Sequence, residues 1–320
     1  MKCTRCRAPA EVQLRQHNSN FCRACFIFFF HRQVERAIEK EHMIGRDEAV
    51  LVAVSGGKDS LALWDVLSTL GFQTTGLHLS LGIGAYSDVS TEKTVAFAAA
   101  RGLPLLTVPL AADGLAVPEV AALSRRPACS ACGTLKRHYF DQLAIDRGFP
   151  VLATGHNLDD EAARLLGNVL HWQLEQLARQ RPVLEPTHAR FVRKIKPLYR
   201  ISEYESAVYA FMRRIDYVVD ECPNAAGATQ LVYKDMLNRL EAASPGSKLL
   251  FVQEFLHRAQ PELRAPEHSA PQTCAGCGMP SFSGLCGFCR LARETAAKRE
   301  ARASRAAGER AANGPAASRQ

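Results

Sequence analysis

No stretch of this chain approaches the roughly 18 to 20 consecutive apolar residues that a membrane-crossing helix needs; the greasiest run, Phe26 to Phe30, is cut off by His31. A membrane-spanning helix is therefore excluded and no membrane partner is expected. The opening residues Met1 to Cys6 lack the apolar core of a secretory signal, which points to the cytoplasm. Disulfides are rare in that reducing compartment, so the eleven cysteines need a different explanation, and metal is the leading one. Acidic charge is also in short supply: 40 Lys and Arg stand against 32 Asp and Glu, a net charge of +8. The imbalance is concentrated from Arg290 to Gln320, where eight basic side chains accompany three Glu. A basic, Ala-rich tail suits either a polyanionic partner or a solvated, frayed helix. Core-forming residues are not lacking: in a chain of 320 residues, 47% of them hydrophobic, wholesale disorder is excluded.

The cysteines fall into sets of four, four and three. Cys3, Cys6, Cys22 and Cys25 form C-x2-C-x15-C-x2-C, and Cys274, Cys277, Cys286 and Cys289 form C-x2-C-x8-C-x2-C. Each C-x2-C knuckle supplies two thiolates to one tetrahedral ion, and four thiolates leave no open position for a substrate. Two structural zinc ions are expected, folding small modules that bury too little surface on their own. Cys129, Cys132 and Cys222 remain.

Between the cysteine modules the pattern is α/β. Ala49 to Val54 is a continuous apolar run of the kind found in a buried parallel strand, and Ser60 to Leu70 carries apolar residues at helical spacing. Thr74 to Leu81, Leu103 to Leu110 and Val151 to Thr154 read as further strands, with helices near Thr91 to Arg101 and Asp159 to His171. This alternation predicts a doubly wound parallel sheet whose ligand sits beyond the strand C-termini. Residues 203–256 read as helical, interrupted at Cys222-Pro223-Asn224 and Ser244-Pro245-Gly246. The expected division is a metal module over 1–30, a catalytic domain over 31–225, a helical extension and Pro-containing linker over 226–268, a second metal module over 269–291, and a poorly ordered tail over 292–320.

Ser55-Gly56-Gly57-Lys58-Asp59-Ser60 lies where the first strand gives way to a helix. Paired glycines let the backbone turn sharply, exposed N–H groups and the helix dipole attract phosphate, and Lys58 adds a point charge. Neither G-x-x-x-x-G-K-[ST] nor G-x-G-x-x-G can be laid over it. The hexapeptide resembles the S-G-G-x-D-S loop of PP-loop ATP pyrophosphatases, similar in fold to the adenine nucleotide α-hydrolases, which cleave ATP between its α and β phosphates. That resemblance implies that Ser55, Gly57, Lys58, Asp59 and Ser60 hold the phosphates, with Asp59 acting through Mg2+. Thr154-Gly155-His156-Asn157-Leu158-Asp159-Asp160-Glu161 ends a later strand and opens a helix. Helix capping would account for its acids, but it also falls at the same inferred sheet edge and resembles the T-G-H-N-x-D-D motif of the tRNA-thiolating branch.

Cys129-Ser130-Ala131-Cys132 precedes Lys136 and Arg137, and Cys222 stands in Glu221-Cys222-Pro223-Asn224. Three thiolates suit a [4Fe-4S] cluster with one iron free for a non-protein ligand. A persulfide-carrying cysteine is the alternative, and inert packing is disfavoured because adjacent cations are expected to lower the thiol pKa. Spacing does not choose between cluster and persulfide.

Taken in order, the motifs resemble the TtuA-type tRNA 2-thiouridine synthetases, over about Cys3 to Cys289. The resemblance implies Cys129, Cys132 and Cys222 as cluster ligands, and Asp59, Lys136 and Asp160 as catalytic residues. It places Ala53, His78 and Gly155 beside the nucleotide. It further implies Mg-ATP, tRNA, a ubiquitin-like sulfur carrier with a C-terminal thiocarboxylate, and a homodimer. The expected reaction adenylates the C2 oxygen of a tRNA uridine and replaces it with sulfur, at the T-loop uridine rather than the wobble position. A wobble-uridine (position 34) or cytidine-32 tRNA thiolase is the alternative within the family, and a small-molecule PP-loop ligase or sulfurtransferase and a non-catalytic zinc RNA-binding protein are the rivals from other classes. Arg125, Arg126, Lys136, Arg137, Arg193, Lys194 and Lys196 are candidate phosphate contacts on RNA.

Overall fold

The computed structural model describes residues 1–45, 47–225, 227–264 and 271–312. A hairpin of β1 (Val12–Leu14) and β2 (Ser19–Phe21) opens the chain and leads directly into α1 (Arg23–Lys40). Strands and helices then alternate as β3 (Val50–Ala53), α2 (Lys58–Thr69), β4 (Thr74–Ser80), α3 (Gly84–Arg101) and β5 (Leu105–Pro109). Two helices, α4 (Val117–Ser124) and α5 (Ala128–Asp146), precede β6 (Val151–Thr154), α6 (Leu158–Leu170), α7 (Leu174–Ala178), β7 (Val183–Leu184) and β8 (Arg193–Ile195). The chain continues through α8 (Glu203–Met212), α9 (Thr229–Ala243) and α10 (Ser247–Glu254). It finishes with a second hairpin, β9 (Gln272–Thr273) and β10 (Pro280–Ser281), and the long α11 (Gly287–Ala312).

One sheet has the order β5-β4-β3-β6-β8-β7, parallel except for the last pair. The expected doubly wound sheet is therefore present, with helices on both faces. Alternate residues of its central strands feed two cores: Val50, Val52, Val151 and Ala153 point to the side of α1, α2 and α8, while Leu51 and Leu152 point to the side of α4 and α5. The order in which strands join the sheet reverses between β3 and β6, which run parallel and pair Val50 with Val151 and Ala53 with Thr154. A switch of this kind opens a crevice at the strand C-termini.

Several elements differ from the sequence expectation. α1 crosses the expected boundary at residue 30, because Phe26, Phe30, Val34 and Ile38 form an i, i+4 stripe that joins the same core as α2 and α8. The short β8 carries two cations, Arg193 and Lys194, which disguise a strand whose Ile195 is fully buried. α3 begins at Gly84, ahead of the expected Thr91. The tail expected to be poorly ordered from residue 292 instead continues α11 to Ala312. Leu291 and Thr295 are buried, so the first turns gain tertiary packing that composition does not reveal. The expectation for 313–320, and the part of the linker at 265–268, lie outside the described residues. Among the described residues no helix is long and apolar enough to cross a membrane.

Asp65 of α2 is 1% exposed and ties three helices together. It accepts from Arg101 Nε of α3 at 2.5 Å, from Tyr209 Oη of α8 at 2.8 Å, and from Arg213 Nε at 2.7 Å. Tyr209 in turn accepts from His31 Nε2 at 2.8 Å and stacks on Phe30 at 4.0 Å, which extends the network to α1. Burial would raise the Asp65 carboxyl, but the bonds from Arg213, Arg101 and Tyr209 outweigh it and hold it below the usual carboxylate range. Removing the acid leaves buried cationic partners uncompensated, so Asp65→Ala is expected to cost about 3–5 kcal/mol in denaturant unfolding. Because the folded pKa lies below the unfolded one, this stabilisation is complete above about pH 4 and is lost as pH falls through the folded value. Asp65→Asn should flatten that acid limb of the stability profile; an unchanged limb would show that another carboxylate governs it.

Candidate active site and metal centres

The turns that follow β3 and β6 meet at the switch point. Gly56 takes φ 79°, and a Cβ there would lie 2.7 Å from the Ser90 carbonyl oxygen, so the loop can turn under α3 only without a side chain. The Ser60 hydroxyl accepts from the Ser55 N–H at 3.1 Å and donates to the Gly57 carbonyl at 3.0 Å, while Ser90 Oγ donates to the Ser55 carbonyl at 2.5 Å. α2 starts at Gly57 with no side-chain cap, which leaves its first-turn N–H groups open to an anion. α6 differs. Asn157 caps it, accepting from the Asp160 N–H at 3.0 Å while Asp160 accepts from the Asn157 N–H at 3.1 Å. α2 therefore presents open donors and the Asp59 carboxylate at this edge, and α6 presents the Asp160 carboxylate.

Ala53, Ser55, Gly57, Asp59, Ser60, His78, Lys136, Gly155 and Asp160 all line one cavity of about 360 Å³. Tyr86, Ser87 and Ser90 of α3, Phe140 of α5 and His156 complete much of its wall, and the sequence reading did not single them out for it. His78 is 1% exposed; its Nδ1–H donates to the Val54 carbonyl at 3.0 Å and its Nε2 faces the Thr91 hydroxyl at 3.0 Å. Burial, with Lys136 adding to it, holds His78 below the ordinary histidine range. It is a neutral, fully bonded wall of the cavity.

Lys58 is not among the lining residues. Its Nζ lies 2.6 Å from Glu203 and 3.1 Å from Asp59. Glu203, at the start of α8, also lies 3.2 Å from Lys234 of α9, whose Nζ is 2.6 Å from Asp160. Asn157 Nδ2 donates to Asp59 at 3.1 Å and closes the circuit. Asp59, Lys58, Glu203, Lys234 and Asp160 thus alternate in charge, and the neutral Asn157 joins the two end acids into a ring. Within it burial raises Asp59, and the charge of Asp160 adds to this against the pull of Lys58 and Asn157. Glu203 is held low because the lysines outweigh its burial. Neither Glu203 nor Lys234 belongs to a recognisable motif; each is a charged residue on an otherwise ordinary helix, and only the tertiary fold brings them here.

Lys136 lies on the other wall. On α5, Cys132, Lys136 and Phe140 share a face at i, i+4 spacing, with Cys129 one turn earlier. The Lys136 charge acts on both His78 and Cys132. Cys222 approaches from beyond α8, and Cys129 Sγ lies 3.2 Å from the carbonyl of Asn224. Tyr86 lines the cavity and packs against the same apolar cluster as Cys132 and Cys222, and burial, with these two thiols, raises its hydroxyl. The expectation that adjacent cations lower these thiols fails at Cys132: burial pushes it up, and Cys222 and Cys129 add to this, outweighing Lys136.

Among the described residues, the two four-cysteine sets are the groups whose sulfurs all come within 4.8 Å of one another. Cys6 and Cys22 sulfurs are 3.6 Å apart, as are those of Cys277 and Cys286. That spacing suits a tetrahedron with metal–sulfur bonds of about 2.3 Å, whose edge is about 3.8 Å. Backbone N–H groups of Gly276 and Cys286 point at Cys274 Sγ at 3.4 and 3.2 Å, favouring the thiolate. Each set is braced against the catalytic core. Cys25 opens α1, and Phe288, beside Cys289, stacks on His138 of α5 at 3.6 Å between ring centres.

Of the expected RNA contacts, Arg193, Lys194 and Lys196 are engaged elsewhere. They pair with Glu48 at 2.9 Å, Asp141 at 2.7 Å and Glu161 at 2.7 Å, and Lys196 is 7% exposed. A strand in the sheet interior has to neutralise its cations internally, so these three residues are withdrawn as phosphate contacts.

A Cβ on Gly155 would lie 2.9 Å from the Ser60 nitrogen and 3.0 Å from the Asp59 carbonyl carbon, both backbone atoms. Gly155→Ala must therefore push the two turns apart. Overpacking of this kind costs about 1–3 kcal/mol, and the expected result is at least a tenfold loss of Mg-ATP affinity by calorimetry while the far-UV spectrum is kept. Unchanged affinity would show that the turns bind no common ligand.

Comparison with known proteins agrees with this architecture. Residues 2–27 match the N-terminal LIM domain of 2-thiouridine synthetase TtuA, and residues 29–227 match the PP-loop domain. The chain is 51% identical over 292 residues to a tRNA-5-methyluridine(54) 2-sulfurtransferase of Thermus thermophilus, covering 91% of each chain. It is 42% identical over 295 residues to the protein of the same name from Pyrococcus horikoshii, covering 91% of this chain and 93% of that one. Its fold resembles the U34-tRNA thiolase NcsA from Methanococcus maripaludis, solved with its [4Fe-4S] cluster, at a TM-score of 0.73 and 24% identity, covering 92% and 96% of the two chains. An open helix N-terminus and an acid-bearing turn on one parallel sheet thus lie within the residues that match the PP-loop domain, and the chain belongs to the TtuA-type tRNA 2-thiouridine synthetases of the PP-loop superfamily.

Proposed function

We propose that the protein is an ATP-dependent tRNA 2-sulfurtransferase acting on 5-methyluridine at tRNA position 54. The observation that carries this reading is the convergence of the Ser55–Ser60 and Thr154–Asp160 turns on one cavity, whose far wall, Lys136 and Tyr86, borders three cysteines. The choice of position 54 follows the two relatives of that name; the wobble-uridine enzyme is a more distant likeness.

In the proposed reaction the C2 carbonyl oxygen of the uracil attacks the α-phosphorus of ATP and pyrophosphate leaves. A sulfur nucleophile then adds at C2, and AMP departs with the original oxygen. The first-turn N–H groups of α2 and the Lys58 ammonium offset the charge that builds on pyrophosphate, Lys58 exchanging Glu203 for phosphate oxygens. Asp59 supplies the carboxylate that Mg2+ prefers beside phosphate. Asp160, held by Lys234, and Lys136 face the reacting base. Cys129, Cys132 and Cys222 are proposed to hold a [4Fe-4S] cluster, which when bound supplies an iron free of protein ligands that can carry sulfide. The two four-cysteine sets are proposed to hold structural zinc. The sulfur donor is proposed to be a ubiquitin-like carrier with a C-terminal thiocarboxylate, and the site of action the cytoplasm, in keeping with eleven free thiols. A homodimer is proposed because α9 exposes Val232, Met236 and Leu240 along one i, i+4 stripe.

Incubation with unmodified tRNA, Mg-ATP and a sulfide source should give AMP, pyrophosphate and 2-thio-5-methyluridine at position 54, read by nucleoside mass spectrometry. Removing the anticodon stem-loop should leave thiolation intact, since an elbow-directed enzyme reads shape. ADP and orthophosphate as primary products, or thiolation confined to position 34, would overturn the reading.

Anaerobically prepared protein is expected to carry about two zinc and four iron per chain. Cys222→Ala should lose iron and keep zinc; a variant that keeps a normal iron content would favour a persulfide on one of the remaining thiols.

A further inference from the structure

The cations of the chain divide into two populations. Those on β8 are neutralised internally, as described above. On the C-terminal helix Lys298 and Arg299 are paired, but Arg302 and Arg305 have no acidic partner among the described residues, although the same helix is firmly seated. Phe288 stacks on His138, Leu291 and Thr295 are buried, and Arg299 pairs with Glu119 at 2.7 Å and donates to the Gly114 carbonyl. These contacts fix α11 against α4 and α5 and thereby fix its rotation. Lys298, Arg302 and Arg305, at i, i+4 and i+7, fall on one face, and together with Arg125 they line a groove of about 300 Å³. Among the described residues no carboxylate lines it. Lys298 has a single ion pair, with Glu294 at 2.6 Å, and Arg125, Arg302 and Arg305 have no acidic partner among the described residues. Arg125 adopts φ 54° at the C-terminus of α4, a left-handed conformation that a non-glycine residue adopts only where its surroundings impose it.

We propose that this groove binds the ribose-phosphate backbone of the tRNA. The inference rests on the tRNA reading above and adds to it a binding surface, on a segment that the motifs leave without a role. Lys298 to Arg305 spans about 10 Å along the helix axis at 1.5 Å per residue, long enough for the three side chains to reach more than one phosphate of an RNA strand. Unpaired guanidinium groups with no facing carboxylate suit phosphate oxygens better than they suit a mixed-charge protein surface. Position supports the same partner: α5 begins three residues beyond Arg125 and carries Cys129, Cys132 and Lys136. A strand seated in the groove is thus held beside the helix that faces the reacting base. Contacts of this kind fix register without reading sequence.

The test uses the full-length metal-loaded protein with the three helix cations neutralised together, Lys298→Gln, Arg302→Gln and Arg305→Gln. These side chains lie outside the catalytic cavity, so Mg-ATP affinity and metal content should be unchanged. The slope of log affinity for tRNA against log salt is expected to become shallower by about two to three, at about 0.9 per lost phosphate contact. The KM for tRNA should rise at least tenfold, with kcat retained at saturating tRNA. Arg302→Lys with Arg305→Lys, which keeps the charge, should restore the slope and guards against a merely misfolded helix. An unchanged slope and KM in the triple variant would overturn the groove while leaving the sulfurtransferase reading intact. So would unchanged tRNA binding with a raised KM for the sulfur-carrier protein, or a groove that takes up inorganic phosphate but is indifferent to tRNA. If the unaltered protein binds no tRNA, the functional reading itself fails and the groove falls with it.

Discussion

The structure depends on a close approach of two backbones. β3 and β6 are parallel neighbours, Ala53 beside Thr154, and the turns that follow them touch through Gly155, where a methyl group would meet the Ser60 nitrogen at 2.9 Å. A separation that small forces an uncapped helix N-terminus and an acid-rich one to share the same cavity. The open N–H groups and the Asp59 carboxylate of the first turn then stand opposite the Asp160 carboxylate of the second. The remainder of the fold keeps that contact closed: α3 lies over Gly56, and Asn157 bonds both to Asp160 across its own cap and to Asp59 across the gap.

Charge inside the site is arranged so that no ion stands alone. Asp59 and Asp160 would repel one another, and the first of them is buried enough for its carboxyl to be raised. Lys58 and Lys234 separate them, and Glu203 keeps the two lysines compatible. Such a ring leaves each member partnered at the same time.

The cysteine modules act on this centre through helices. The first is continuous with α1, whose Phe30 and His31 engage Tyr209 and so reach the buried Asp65 on α2, the helix that begins with Lys58 and Asp59. The second sends Phe288 onto His138, two residues beyond Lys136 on α5. Small modules with little core of their own thereby steady α2, which begins with Lys58 and Asp59, and α5, which carries Cys129, Cys132 and Lys136, and the second also sets the rotation of the basic α11.

The sequence by itself determined what depends on local pattern: the four strands that begin the sheet, read from apolar runs bounded by turns; the two metal modules, read from paired C-x2-C knuckles; and the residues of the two turns, read from Gly, Lys and Asp at fixed spacing. These are legible because backbone geometry, tetrahedral coordination and helix ends each constrain residues only a few positions apart. Tertiary structure alone decided the partners of those residues. Lys58 faces Glu203, Asp160 faces Lys234, Arg193, Lys194 and Lys196 are neutralised by acids from distant segments, Cys132 is raised by burial where neighbouring cations suggested the opposite, and a tail that composition marks as frayed becomes a seated helix. In each case the deciding term is the electrostatic or apolar environment supplied by residues far away in the chain, and that environment comes into being only when the layers pack.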